Sequence, residues 1–414
     1  MCRWFGLESR QRMNSIPVVV LLAAGLSFAD LGGYAQSTPP AKPDTAKPAS
    51  TASAPASSTR PETTEPEGNT ADLPVVKIEL NDPAPVPGVP GLPGYINPVI
   101  CSPEGIPFVT VPNLSDFRKN TVYSLDAKGG HAFAANAIPD LYDIHTQGYF
   151  VGDSMVGLLV RATRDDKKAA KKITVIPGSP PWDVYVGAHH DFLLEFDRSG
   201  NYKKTVDLPT AYHFWRVAEL ADDSLLALAY DGVNSVVRLL LLDSGGQIVR
   251  PLQVPAKMAD SPDLRRGESG EDIVRMQAES AMSWWFFAPA RHKILLYQAR
   301  SKSPVLEVGA GGVVREVPLE APRGYTLANV ISASDRWIMR YRRDGLSDFG
   351  EVDTRPESKN FVLYEVNPSD GTLKNQIDLE GTRHFDIACE QDGALIGFSM
   401  EDEKVLRLTA DLPR

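Results

Sequence analysis

Between Leu193 and Val249 the apolar residues fall in short runs, LLEF, SLLALAY and VVRLLLLD, parted by Asp, Gly and Ser. No 3.6-residue stripe fits across them, so the pattern predicts strands rather than helices. Phe196-Asp197-Arg198-Ser199-Gly200 and Leu242-Asp243-Ser244-Gly245-Gly246 use one device twice. A strand ends on an apolar residue, Asp bonds its own backbone two residues on, and Gly takes the positive-φ position of a hairpin.

The pattern repeats. Leu208 to Glu219 aligns without a gap with Leu379 to Glu390, sharing Leu, His-Phe, Ala and Glu, and each stretch leads into an Asp-bearing turn and an apolar strand. Ile138 to Tyr149 followed by MVGLLV, and Leu319 to Asp335 followed by Trp337-Ile338-Met339, share the layout; weaker copies start at Asn97 and Met276. Each unit should have a third strand, and six are countable: Thr121–Leu125, Phe192–Phe196, Val237–Leu242, Val305–Val308, Phe361–Val366 and Val405–Leu408. Their uneven spacing implies insertions near 163–187, 251–275 and 341–358. Six four-stranded antiparallel units predict an all-β fold, a six-bladed β-propeller, in which radial repetition protects the sheet edges. The last unit stops at its third strand, with only Thr409 to Arg414 left. The isolated alternating run Val75–Leu80 is the expected closing strand of that last blade.

The apolar-Asp-x-x-Gly hairpin, the Leu-Pro that follows it, and the strand-Asp-Asp/Gly-strand that comes next resemble six-bladed propellers of the NHL-like and TolB-like type. The resemblance covers roughly residues 95–414 with the Val75–Leu80 strand. The tight Gly/Asn/Arg turn of an NHL repeat is approximated here by Asp231-Gly232-Val233-Asn234 with Arg238. Some NHL-like propellers are lyases whose channel metal is held by histidines, so the resemblance implies that such chemistry is open to this fold.

Residues 1–35 carry Arg3, Arg10 and Arg12, an apolar run from Ile16 to Ala29, and Gly33-Tyr34-Ala35. This is the layout of a secretory signal peptide cleaved after Ala35; a retained anchor is the alternative, although the run falls short of the ~20 residues that span a bilayer. Residues 36–74, rich in Pro, Ala, Ser and Thr, are expected to form a disordered tether, with the propeller at 75–414. Export to the periplasm or the medium follows, with no transmembrane segment after cleavage and a monomer expected.

The 414-residue chain carries a formal charge of −10, or −11 once residues 1–35 are removed. An acidic protein repels phosphate backbones, so nucleic acid is a poor partner. The basic cluster Lys167-Lys168 with Lys171-Lys172 is expected to be a solvated loop. Cys101 and Cys389 occupy matching places in the first and last units, which neighbour each other in a closed ring; a disulfide and a pair of buried free thiols are both open.

The repeat alignment puts Asp143, His213, Tyr325 (or Gly324, without a gap) and His384 at equivalent places at the start of the inner strand, which borders a propeller's channel. Two imidazoles and a carboxylate, His213, His384 and Asp143, could hold a zinc or calcium ion; the structural alternative is His-Phe pairs that bond backbone and fill the blade interfaces. Arg216 and Arg383 could anchor an anion, and Trp285 could flank a ligand. His189-His190 make a weak ligand pair, because adjacent strand residues face opposite ways. No nucleophile elbow, phosphate loop or calcium loop is present. The expected function is non-enzymatic recognition of a ligand or an envelope protein at the channel mouth. The alternative is a metal-dependent hydrolase or lyase centred on the channel.

Overall fold

The computed structural model describes residues 73–413 apart from 80, 90–95, 113–119, 137, 165–170, 174–181, 185–188, 235, 255–281, 283, 291, 332–335, 345–359, 381–385 and 402–403. The signal and nearly all of the tether lie outside the described residues, as do much of the three insertions and Arg383 and His384. Among the described residues no helix is long and apolar enough to cross a membrane.

The chain opens with β1 (Val75–Glu79) and β2 (Ala84–Pro85). Blade one follows as β3 (Ile96–Cys101), β4 (Pro107–Val111), β5 (Thr121–Ser124) and β6 (Ala132–Ala134). Blade two is β7 (Tyr142–Val151), β8 (Met155–Thr163), β11 (His190–Asp197) and β12 (Tyr202–Asp207), with the hairpin β9 (Lys171–Ile173) and β10 (Trp182–Val184) inserted. The basic cluster expected as a loop thus contributes a short strand.

Blade three is β13 (Tyr212–Glu219), β14 (Leu225–Asp231), β15 (Val236–Leu242) and β16 (Ile248–Leu252). Blade four is β17 (Trp285–Ala290), β18 (Lys293–Gln298), β19 (Val305–Val308) and β20 (Val314–Val317). Blade five is β21 (Tyr325–Ile331), β22 (Trp337–Arg343), β23 (Phe361–Val366) and β24 (Leu373–Glu380). Blade six is β25 (Asp386–Gln391), β26 (Ala394–Glu401) and β27 (Lys404–Asp411), with β2 as its fourth strand. The protein is a six-bladed β-propeller, and all six expected third strands are in place.

The closing strand differs from expectation. Val75–Glu79 adds in parallel to β24 of blade five, while Ala84–Pro85 pairs antiparallel with Arg407 and Leu406 of β27. The reason lies in side-chain fit. Ile78, 3% exposed, enters the apolar seam between blades five and six beside Ile377, Leu395 and Leu412, so the alternating strand becomes a wedge. The ring is then closed by the Pro-containing segment behind it, helped by Asn81 N–H to Thr409 O at 2.9 Å and Val86 N–H to Val405 O at 3.0 Å.

The core is divided among the blade interfaces. In β14, Leu226, Leu228 and Tyr230 pack towards blade four, while Leu225, Ala227 and Ala229 pack towards blade two. Period-two alternation therefore feeds two different interfaces, which is why a strand buried on both faces reads as an unbroken apolar run. Blades one and six share the core around Val109, Cys389 and Phe398, where Cys101 and Cys389 form a disulfide with Cα atoms 5.7 Å apart.

The hairpin glycines explain how the blades are spaced. Gly200, Gly246, Gly312 and Gly371 each take positive φ in the turn between the third and fourth strands. A Cβ on Gly200 would lie 2.5 Å from Ala132 O of blade one, and one on Gly371 would lie 1.6 Å from Pro318 O at the end of blade four. The same glycine therefore makes the turn and lets it seat against the preceding blade.

Candidate metal centre at the head of blade two

At the start of β7 the pairing with β8 slips, with Tyr142 opposite Thr163 but His145 opposite Arg161. Asp143 takes φ 47° within this bulge, a conformation uncommon for a side-chain-bearing residue. The bulge aims the Asp143 carboxylate across the end of blade two, where only 4% of its side chain is exposed. His189, the residue before β11, reaches it with Nε2 2.9 Å from Oδ2. His145, two residues along β7, brings Nε2 to 3.3 Å from Oδ1. The imidazole rings stand edge to face with centroids 6.1 Å apart. One ligand-capable atom from each of the three residues lies within 4.8 Å of the others. Tetrahedral zinc with bonds of about 2.0–2.1 Å sets its ligand atoms roughly 3.3 Å apart. The two His–Asp separations, 2.9 and 3.3 Å, are close to that spacing.

A second polar group adjoins it at the junction with blade three. Asp191, 2% exposed, accepts the Phe214 N–H at 2.7 Å through Oδ2, with His213 Nδ1 3.1 Å from the same oxygen. Arg161 lies between the two groups. Its Nη1 is 2.7 Å from His213 Nδ1 and 3.6 Å from Asp191 Oδ1, and its Nη2 donates to the His189 carbonyl at 3.4 Å.

Of the expected trio of Asp143, His213 and His384, His213 has its Nδ1 3.1 Å from Asp191 Oδ2, while Asp143 is met by His189 and His145. The alignment was right that Asp143 and His213 both stand second in their inner strands. Yet His213 pairs in register with Tyr230, whereas Asp143 sits in a bulge, so equivalent positions aim their side chains differently. His384 lies outside the described residues. His189, expected to be a weak ligand, is brought to Asp143, while His190 turns to the Phe192 ring with centroids 4.3 Å apart. The opposite-faces argument separated the two histidines from each other but did not disqualify either. His145 was missed, and the signal for it was the Asp-x-His spacing at the head of an inner strand.

Three further candidates make packing contacts. Trp285, 6% exposed, fills the interface between blades three and four, and its carbonyl accepts from Arg216 Nε. The Arg216 guanidinium lies 4.4 Å from the Phe286 ring centroid, and burial lowers its pKa to about 10. Tyr325 packs against the core between blades four and five.

No protein-family model matches the chain, and no curated protein matches it either. Among solved structures it is similar to a streptogramin B lyase, at 9% identity and a TM-score of 0.32, over 80% of this chain and 97% of that one. It is similar to virginiamycin B lyase from Staphylococcus aureus, at 10% identity and a TM-score of 0.33, over 75% and 93% of the two chains. It is also similar to the β-propeller domain of the Trilobed protease from Pyrococcus furiosus, at 10% identity and a TM-score of 0.34, over 78% and 80%.

Away from this site, Glu219 stands at the opposite end of β13. Its carboxylate accepts the Asp153 N–H at 3.1 Å. Burial, then the neighbouring Asp223 and Asp153, raises its pKa to about 7.

Proposed function

We propose that the protein is a metal-dependent recognition propeller. Asp143, His145 and His189 hold one divalent transition ion, zinc in the first instance, and a small ligand fills the remaining coordination. The observation that carries this reading is the convergence of two imidazoles on one buried carboxylate. Two nitrogens and one carboxylate oxygen suit zinc, whereas calcium takes six to eight oxygens and is poorly served here. The His145 side chain is 40% exposed, which leaves the group approachable from solvent. Location outside the cytoplasm belongs to the same proposal, and a disulfide between Cys101 and Cys389 fits an oxidising compartment.

The test is elemental analysis and zinc calorimetry on protein purified without a His tag or chelator. A single equivalent of zinc is expected, lost in His189→Ala and in His145→Ala and kept in His213→Ala. Wild-type protein that takes up no metal after reconstitution would overturn the reading.

A second reading, metal-dependent hydrolysis or lyase chemistry, is favoured by one observation: His213, held against the buried Asp191, is an oriented imidazole next door. Turnover of ester, lactone or amide substrates by the zinc-loaded protein, abolished in His213→Ala with metal retained, would establish it. Absence of turnover across those classes leaves recognition as the function.

A further inference from the structure

Arg161, Asp191 and His213 cannot all be satisfied where they stand. An imidazole Nδ1 carries either a proton or a lone pair. His213 Nδ1 is 2.7 Å from an Arg161 N–H donor and 3.1 Å from a carboxylate oxygen of Asp191. With a lone pair, Nδ1 accepts from Arg161 but turns that lone pair towards the carboxylate. With a proton, it donates to Asp191 but sets N–H against N–H. One contact is unfavourable in either case. The guanidinium gains little elsewhere, being 3.6 Å from Asp191 Oδ1 and at the limit of hydrogen bonding to the His189 carbonyl. Asp191 Oδ1 is itself buried with no hydrogen-bond partner among the described residues. The Arg161 side chain is 27% exposed, so a path to solvent exists. It also stands directly across the β7–β8 ladder from His145, one of the three ligand candidates.

We propose that Arg161 is a movable clamp for an oxyanion, a carboxylate or a phosphate monoester, bound at the Asp143–His145–His189 centre. The inference rests on the metal reading and names the ligand class for that site. The planar guanidinium turns from His213 to the anion, with which it can make paired N–H···O bonds. His213 is then free to donate its Nδ1 proton to Asp191, which keeps the Phe214 N–H and gains a second donor. Asp191 Oδ2 then holds two N–H donors, Phe214 N–H and His213 Nδ1–H, which offset part of the loss of the guanidinium 3.6 Å from Oδ1.

The experiment follows the visible spectrum of the cobalt(II)-substituted protein. Wild type and Arg161→Gln are titrated first with Co²⁺ and then with acetate, methyl phosphate and the neutral acetamide. Both proteins are expected to bind Co²⁺ alike. Anions, and not acetamide, should shift the wild-type spectrum, with affinity about tenfold or more weaker in Arg161→Gln, as for loss of one charge-assisted pair. The stronger of the two anions identifies the source. Arg161→Lys, which keeps the charge without the fork, should fall between, and it serves if the glutamine variant does not fold. A wild type that fails to bind Co²⁺ removes the metal reading and the clamp with it. A wild type that binds Co²⁺ but responds equally to acetamide, or variants that respond like wild type, overturns the clamp alone.

Discussion

The seam between the first and last blades offers the sharpest test of how the ring is held. Its fourth strand is two residues long, and one of them, Pro85, has no N–H to donate. The Cys101–Cys389 disulfide spans the same seam and links residues 288 apart in sequence. In the chain-entropy treatment, a loop of that size removes about 19 cal/mol/K from the unfolded chain, or about 5–6 kcal/mol at 25 °C. Measured values for native disulfides run at about 2–5 kcal/mol, so the larger figure is an upper bound. With an m value of about 3 kcal/mol/M, the urea midpoint of the fully reduced chain should fall by roughly 1–2 M. Because Cys101 is 5% exposed and Cys389 0%, reductant will not reach the bond in the folded protein. The assay therefore equilibrates unfolded protein with and without reductant, then compares refolding and unfolding midpoints, with the Cys101→Ala/Cys389→Ala chain as a second reduced reference. A midpoint difference below about 0.3 M would refute the argument, and would mean that the inter-blade core and β1 hold the ring without the crosslink.

Other perturbations read other parts of the fold. Gly371→Ala should cost over about 2 kcal/mol, because it combines φ 76° with a Cβ 1.6 Å from Pro318 O; Gly393→Ala, at φ 87° with nothing within 4 Å, should cost only the ~1–2 kcal/mol of backbone strain. Equal thermal shifts for the two would refute the claim that the hairpin glycine seats one blade on another. The Glu219 pKa is raised to about 7, above its unfolded value near 4.5, so its protonated form is favoured by folding and stability should fall as pH rises through that window. Glu219→Gln should flatten the melting temperature between pH 5 and pH 8 and raise it at the upper end; an unchanged profile would place the pH dependence elsewhere. Tyr149 donates to Phe108 O at 2.6 Å and accepts the Ile100 N–H at 3.2 Å, so Tyr149→Phe should lower stability by about 1–3 kcal/mol in urea, and a neutral result would show that these buried blade-one groups find other partners.

What could be read from the sequence and what could not divide along a physical line. The propeller was legible because its information is local and repeated. Each Asp-x-x-Gly turn fixes a hairpin by its own hydrogen bonds, as Asp197 Oδ1 does in accepting the Ser199 and Asn201 N–H groups at 3.0 Å. Asp231 does the same in the one NHL-like turn, accepting from Val233 at 3.1 Å and Asn234 at 3.0 Å. Alternation then commits each strand to two interfaces whatever the neighbouring blade contains. The closing segment was misassigned because β1 and β2 compete for edges that only the assembled ring defines, and burial of Ile78 decides between them.

The site was less legible for a related reason. Repeat alignment assumes that equivalent positions aim equivalent side chains, and a bulge breaks that assumption without leaving a gap in the alignment. Inner strands carry such slips at Thr146/Gly148, Phe214/Arg216, Leu327/Asn329 and Ile387/Cys389, and the head of the strand slips as well in β7, between Tyr142 and His145, and in β3, between Ile96 and Ile100. The slip in β7 turns Asp143 away from the place its counterpart His213 occupies and towards His189, a residue outside any strand. The proposed ligand set, drawn from one bulge, one ladder position and one loop end, has no fixed spacing to search for. Its sequence trace is Asp-x-His followed, one hairpin later, by a histidine. The slip at Asp143 is therefore the feature that a gapless repeat alignment could not reveal.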